Sequence, residues 1–334
     1  MADSQAALGG APFAARRNPA RALVALMRPG DWIKNVFVLI PIVFWLAGMG
    51  RDTPWDEAIR KFELAAVAFA CFCLVASGFY CVNDALDAPQ DRTHPVKRRR
   101  PVATGEIAPS VAFGTGGALI GASLLLSVLV SLSLFGVVFV YALLQVAYNV
   151  RLKRVPFVDV ATIAVGFCLR ALGGGVAVEV PISIWLLLCV FFLTLYLGFI
   201  KRLCDLASVE NARRDGAVVE WKPRAGYGSR DELNWLLAVS GMTTMLMYLM
   251  YALSEHARHL FGARAFGFAL LSPLVMVVVH RFYRRANQGM SDSPLETLLQ
   301  DKAVLVAVLC FVIGTLITLF VPQVAEFLTT HLYD

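Results

Sequence analysis

Three carboxylates, Asp84, Asp87 and Asp91, stand three and four residues apart directly after an apolar stretch, and four consecutive cations, Lys97 to Arg100, follow shortly after. On a helix that spacing puts the carboxylates on one face, near enough to share a hard cation, with Asn83 beside them as a further oxygen donor. As surface decoration the two signs would cancel; together they suit a polyphosphate. Carboxylates hold Mg²⁺, the metal bridges phosphate oxygens, and cations such as Lys97, Arg98 and Arg100 take the remaining charge. A basic loop that only sets topology needs the cations but not three in-register carboxylates. Asp84 and Asp87 are expected at a solvated helix end, where losing a carboxylate removes a metal ligand and little packing.

The elements that must position this motif are membrane helices. Of the 334 residues, 58% are hydrophobic and only 16% charged, against about 25% charged in a soluble domain. Apolar runs long enough to cross a bilayer occur at about 33–50, 62–82, 111–131, 134–149, 156–178, 182–200, 233–253, 262–280 and 303–321. These runs are continuous and lack the alternation of a membrane β-barrel. The fold class read from them is an all-α polytopic membrane protein with about nine transmembrane helices. Residues 1–20, rich in Ala, Gly and Pro, are expected to be a disordered tail, and 21–334 one membrane domain.

Charge asymmetry sets the orientation. With nine spans, the N-terminal tail shares a side with the loops after spans two, four, six and eight, and that side holds twenty-three Lys and Arg against five opposite. The basic side faces the cytoplasm, so the Asp motif is expected there, in an inner membrane where nucleotide-derived phosphates are available. No nucleic-acid partner is expected, and homo-oligomerisation is left open. The seven cysteines fall mostly inside spans; Cys71 and Cys73 lack metal-ligand spacing and read as small buried apolar residues.

Several polar residues lie inside the spans. Tyr141, Gln145, Tyr148 and Asn149 share one face of the fourth span, which suits a hydrated cavity. Asp159 and Arg170, eleven residues apart, are read as pairing with other spans rather than with each other, with a substrate role for either left open. The Gly173–Gly175 run reads as close helix packing. Lys201 and Arg202 end the sixth span and begin the longest loop, 201–232, which carries Arg213, Arg214 and Arg224-Ala-Gly-Tyr227; both cations are read as anion-binding. His94 is assigned local hydrogen bonding rather than catalysis.

The pattern N-D-x-x-D-x-x-x-D at 83–91 followed by R-P-V-A-x-G resembles the first Asp-rich motif of the UbiA superfamily of intramembrane prenyltransferases. That resemblance implies nine helices, Mg²⁺ and a prenyl diphosphate, in a bundle open laterally to the membrane. The stretch Tyr148 to Lys153 is similar to the Tyr/Lys segment closing the fourth helix of that superfamily. Most members carry a second D-x-x-x-D motif after helix six; here Lys201-Arg202 stand where its first acids would be, and Asp205 and Asp215 each lack an acid four residues on. This departure resembles the decaprenyl-phosphate phosphoribosyltransferase subfamily, as do W-I-K-N at 32–35, H-P-V-K-R-x-R-P at 94–101 and S-P-L-E-T-L-L-Q-D at 293–301.

The subfamily resemblance implies transfer of 5-phosphoribosyl from phosphoribosyl diphosphate to a polyprenyl (decaprenyl) phosphate lipid, for arabinosyl-donor supply to cell-envelope glycans. It implies Asp84, Asp87 and Asp91, with Asn83, as the catalytic metal site. It also implies phosphate-binding roles for Lys34, Lys97, Arg98, Arg100, Tyr148, Lys153, Arg154, Lys201 and Arg202. The chemistry accommodates the lost second motif: the lipid is the acceptor and presents a phosphomonoester, so one metal cluster and more cations serve. Loss of the diphosphate leaves an oxocarbenium-like ribosyl that the anionic lipid phosphate attacks, with no general base required. Two other functions are weighed: a prenyltransferase with an aromatic acceptor, disfavoured by the missing acids, and a membrane transporter or lipid-binding protein, with no clear internal repeat to favour transport.

Overall fold

The computed structural model describes residues 18–48, 53–92, 97–214, 226–227, 229–288 and 294–332. Among these, nine helical segments are long and apolar enough to cross a membrane, in agreement with the nine runs read from the sequence. Contacts divide the chain into two compact units, Met1–Ile33 with Cys73–Ser123, and Lys34–Phe72 with Leu124–Asp334.

In the first unit, α1 (Pro19–Met27) begins with Asn18, whose side chain accepts from the Ala20 N–H, and with Pro19 in the first turn, where its missing N–H costs nothing. Pro19 and Ala20, expected to belong to a disordered tail, are thus helical; residues 1–17 lie outside the described residues. Ala22 and Leu26 pack with Cys81, Ala85, Ala88, Val102, Ile107 and Ala112, which seats α1 on the end of α3 (Trp55–Asp91) and the start of α4 (Pro109–Val130). Ser77 on α3 secures the junction by donating to the Met27 carbonyl (2.9 Å) and accepting from Trp32 Nε1 (3.0 Å).

The first span departs from the continuous helix expected at 33–50. A 3-10 helix occupies Pro29–Leu39, and only Ile40–Gly48 is α-helical (α2). Eleven residues is long for a 3-10 run. Pro29 and Gly30 block α-helix continuation from α1, and the three-residue period aligns buried Asn35 and Val38 on one edge. A glycine makes the packing against them possible: a Cβ at Gly174 would lie 1.9 Å from the Val38 carbonyl oxygen. Gly173 similarly accommodates Phe72, so the glycine run serves close packing, as expected.

The second unit continues through α5 (Leu132–Val150), α6 (Val158–Val178), α7 (Ile184–Arg214) and α8 (Arg230–Ala252). Its core is built on Val160, Leu195, Tyr196, Phe199, Ile200, Leu203, Leu233, Leu237 and Phe282. α7 runs more than three turns beyond the expected span end at 200, because nothing from Lys201 to Arg214 breaks a helix. Lys201, Arg202 and Asp205 are thus helical rather than loop residues. Of the rest of the expected loop, 215–225 and 228 lie outside the described residues, as does His94.

Short α9 (Glu255–Phe261) precedes the eighth span, which is split into α10 (Arg264–Leu270) and α11 (Ser272–Asn287), with Pro273 in the first turn of α11. α12 (Pro294–Gln300), α13 (Lys302–Phe320) and α14 (Pro322–Leu332) complete the chain. Asp301, the last residue of the 293–301 segment, has a structural role: its Oδ1 accepts from the N–H groups of Ala303 and Val304, capping α13, and from Arg281 Nη2 at 3.1 Å.

Burial of Asp301 opposes its ionisation, but the two backbone N–H groups and Arg281 outweigh it and hold the carboxyl below the usual range. A depressed folded value means stability that is present above the unfolded value near 4 and lost as pH falls through the folded one. Asp301→Asn is therefore expected to lower stability by about 1 kcal/mol at pH 7. The difference should shrink below about pH 4; thermal midpoints of both proteins at pH 7 and pH 3.5 test this, and an unchanged gap would contradict it.

Candidate active site

The Asp motif ends α3, where Asn83, Asp84 and Asp87 lie on the last turns and Asp91 is the final helical residue. The expected solvated position does not hold: Asp84 and Asp91 are buried, at 2% and 3% exposure, and only Asp87 is half-exposed. Packing of α1 and of the 101–107 turn around the helix end covers them. A buried carboxylate must be paired, and both are.

Arg28 and Arg100 supply the pairing. Arg28 closes α1 in the left-handed region (φ 52°), uncommon for a non-glycine residue. Its guanidinium lies 5.0 Å from the Tyr80 ring and donates through Nη2 to Asp84 Oδ1. Arg100 follows the 3-10 turn Lys97–Arg99, its N–H bonded to the Lys97 carbonyl. The chain then folds back: Thr104 N–H donates to the Arg100 carbonyl, Gly105 takes φ +80°, and Ile107 N–H returns to Pro101. Buried Val102 and Ile107 pin this turn into the core. Arg100 Nη1 thereby reaches both Asp84 Oδ1 (3.1 Å) and Asp91 Oδ2 (2.7 Å).

Among the described residues no three His, Cys, Asp or Glu side chains are grouped as a metal cage. The donors nevertheless fit a hard cation. Asp84, Asp87, Asp91 and Asn83 offer only oxygen. Asn83 Oδ1 is buried and meets no donor among the described residues. The Arg100 guanidinium bridges two carboxylates as a divalent cation would. Lys97 is half-exposed and Arg98 exposed beside them.

The second unit holds the remaining candidates. Lys34 lies exposed on the 3-10 helix; Tyr148 and Lys153 are half-buried and Arg154 is exposed at the end of α5 and the turn after it. Lys201 is exposed on α7, but Arg202 is drawn inward. Its Nε donates to Asp159 Oδ2 at 2.9 Å, and Nη1 lies 3.5 Å from Asp205. Gly198, one turn earlier, allows this approach, since a Cβ there would lie 2.2 Å from Val160 Cγ1. Tyr227 donates to Asp159 Oδ1 (2.6 Å) and accepts from the Phe157 N–H (2.8 Å). Burial and the hydrogen bond to Asp159 push the Tyr227 phenol up, keeping it a donor at neutral pH. Phe157 holds φ 65° at the start of α6, backbone strain that this lock maintains.

Arg202, expected to bind phosphate, is paired in this structure with the buried carboxylate of Asp159. The fourth-span polar face also divides. Tyr141 is buried and accepts from Arg170 Nη2 (2.7 Å), so it lines no hydrated cavity; Gln145, Tyr148 and Asn149 remain half-buried. Arg170 further donates to Asn35 Oδ1 (2.7 Å) and the Gly166 carbonyl. Asp159 and Arg170 therefore do engage other segments and not each other. Sequence reasoning counted Arg28 only as a topology charge; the Arg28-Pro29-Gly30 break was the available signal that it ends a helix beside the motif.

Residues 36–295 match the UbiA prenyltransferase family. The chain belongs to that family. Among curated relatives, the decaprenyl-phosphate phosphoribosyltransferase of Mycolicibacterium smegmatis is 32% identical over 304 residues, covering 90% of this chain and 92% of the relative. The protein of the same description from Corynebacterium glutamicum is 31% identical, over 91% and 89%. Among solved structures, a UbiA homologue from Archaeoglobus fulgidus bound to DMAPP and Mg²⁺ superposes with a TM-score of 0.61. It covers 93% of this chain and all of the other at 17% identity, which shows that the UbiA fold is shared.

Proposed function

We propose that this UbiA-family protein transfers 5-phosphoribosyl from phosphoribosyl diphosphate to a polyprenyl phosphate, releasing diphosphate. The observation that carries this reading is the similarity along nearly the whole chain to two phosphoribosyltransferases, joined to a charge inventory with a single Asp motif and Lys201-Arg202 in place of a second. A hard divalent cation, Mg²⁺ by its oxygen donors, would supply charge neutralisation on the C1 diphosphate. Asp84, Asp87, Asp91 and Asn83 would hold it.

The chain's own residues do the rest. Arg100 and Arg28 hold the carboxylates in place, and Arg100, half-exposed, has a guanidinium able to turn from Asp91 toward the leaving diphosphate. Charge grows on that group as the C1–O bond breaks, so donors aimed at it carry most of the rate. Phosphate-binding roles fall to Lys97 and Arg98 in the unit of the Asp motif and, in the second unit, to Lys34, Tyr148, Lys153, Arg154 and Lys201. The protein is oriented with these residues in the cytoplasm of an inner membrane, following the charge asymmetry.

Purified protein given Mg²⁺ and polyprenyl phosphate with labelled phosphoribosyl diphosphate should yield labelled lipid; labelled prenyl diphosphate with an aromatic acceptor should not react. The reverse pattern would replace this reading with ordinary prenyl transfer. Lys201→Asp should reduce phosphoribosyl transfer by up to about a thousandfold, because like charges about 4 Å apart repel by roughly 4 kcal/mol at an effective dielectric of 20. A near-normal rate would make Lys201 a membrane anchor.

A further inference from the structure

A cavity of about 140 Å³ lies at the end of α11, lined by Arg281, Arg284, Arg285, Gln288 and Asp301. None of these residues has a role in the proposed transfer. Among the described residues lining it, three guanidinium groups face one carboxylate, a surplus of two positive charges. Asp301 fixes two of the three, with Arg281 Nη2 at 3.1 Å and Arg285 Nη1 at 3.7 Å, and Gln300 accepts from Arg285 Nη2 at 3.3 Å. Arg281 Nε is buried and meets no acceptor among the described residues. A buried donor without an acceptor is costly, and here it belongs to a cavity lined by cations.

The surroundings indicate where the anion comes from. Val277 precedes Arg281 by one turn on α11, and Leu305 follows Asp301 by one turn on α13; both are exposed, at 44% and 37%. Residues four apart share a helix face. An apolar strip therefore runs from the arginine cavity along two packed membrane helices. This juxtaposition sets cationic charge at the ends of two apolar membrane-length helices, the complement of a glycerophospholipid's anionic head and hydrocarbon tails.

We infer that the Arg281–Arg284–Arg285 cavity binds the phosphate of an anionic membrane phospholipid, with the acyl chains against Val277 and Leu305. A choline headgroup would be disfavoured, since its fixed positive charge would face three guanidinium groups.

The full-length protein in detergent, titrated with phosphatidylglycerol, phosphatidylcholine of the same acyl chains, or inorganic phosphate, tests this through its thermal midpoint and the lipid retained in native mass spectra. Phosphatidylglycerol should raise the midpoint and stay bound; phosphatidylcholine and inorganic phosphate at matched concentration should do neither. Arg281→Gln and Arg284→Gln should each weaken phosphatidylglycerol binding on the order of tenfold, the worth of one charged hydrogen bond. Arg284 is not among the residues paired with Asp301, so its variant keeps the test open if Arg281→Gln misfolds. An equal response to phosphatidylcholine or to inorganic phosphate would overturn the inference, as would unaltered phosphatidylglycerol affinity in Arg284→Gln.

Discussion

Asp84→Asn is expected to lower phosphoribosyl transfer by about 100- to 1000-fold, the usual worth of one well-placed electrostatic group in a transition state. Asp84 is where the pairings meet: its carboxylate takes both Arg28 and Arg100 and lies among the candidate metal donors. The amide keeps the shape of the side chain but not its charge, so a bound cation would lose a ligand and both arginines a counter-ion. Because those arginines are each about a quarter exposed, water can solvate them and the fold should survive. Asp91→Asn should cost less: it also removes a candidate metal ligand, but it leaves only Arg100 short of a partner, where Asp84→Asn affects two arginines. Initial rates with labelled donor, alongside size-exclusion profiles, separate the effects. EDTA should abolish activity and Mg²⁺ restore it. Retention of more than about a tenth of the rate in Asp84→Asn would remove that residue from the metal site.

Arg202→Met should destabilise the protein by about 3–5 kcal/mol, the loss measured when one partner of a buried ion pair is removed. The Asp159 side chain has no solvent exposure and Arg202 only 11%. Removing the guanidinium leaves a buried carboxylate with Tyr227 as its remaining donor. The double variant Asp159→Asn with Arg202→Met should regain much of the loss, because the uncompensated charge is gone. Thermal midpoints of the two singles and the double give the coupling directly. A normal midpoint in Arg202→Met together with a raised donor KM would instead make Arg202 a phosphate ligand, as the sequence alone suggests.

These two sites show where sequence and structure divide the work. Spans of about twenty apolar residues are legible because a bilayer core demands that length of continuous hydrophobicity, and nine helical segments of that kind stand among the described residues. The Asp84–Asp87–Asp91 register is legible because it depends only on helical period. The 3-10 segment at 29–39 was not, since its hydropathy matches that of an α-helix and its geometry depends on Val38 meeting Gly174. Nor was the extension of α7 to Arg214, because a polar helix end and a polar loop have similar composition.

Partner choice is the larger gap. Arg28, Arg100 and Arg202 read alike in sequence, as cations beside spans. Only the tertiary structure gives two of them to the Asp motif and the third to Asp159. A buried charge selects its counter-ion by which helices pack within about 4 Å of it, and that distance is set by residues such as Gly198 and Leu26 that carry no charge at all. What the sequence by itself determined was the class of the protein, its spans and the carboxylate face. Which cations are committed to pairs and which remain exposed was decided only when the helices packed.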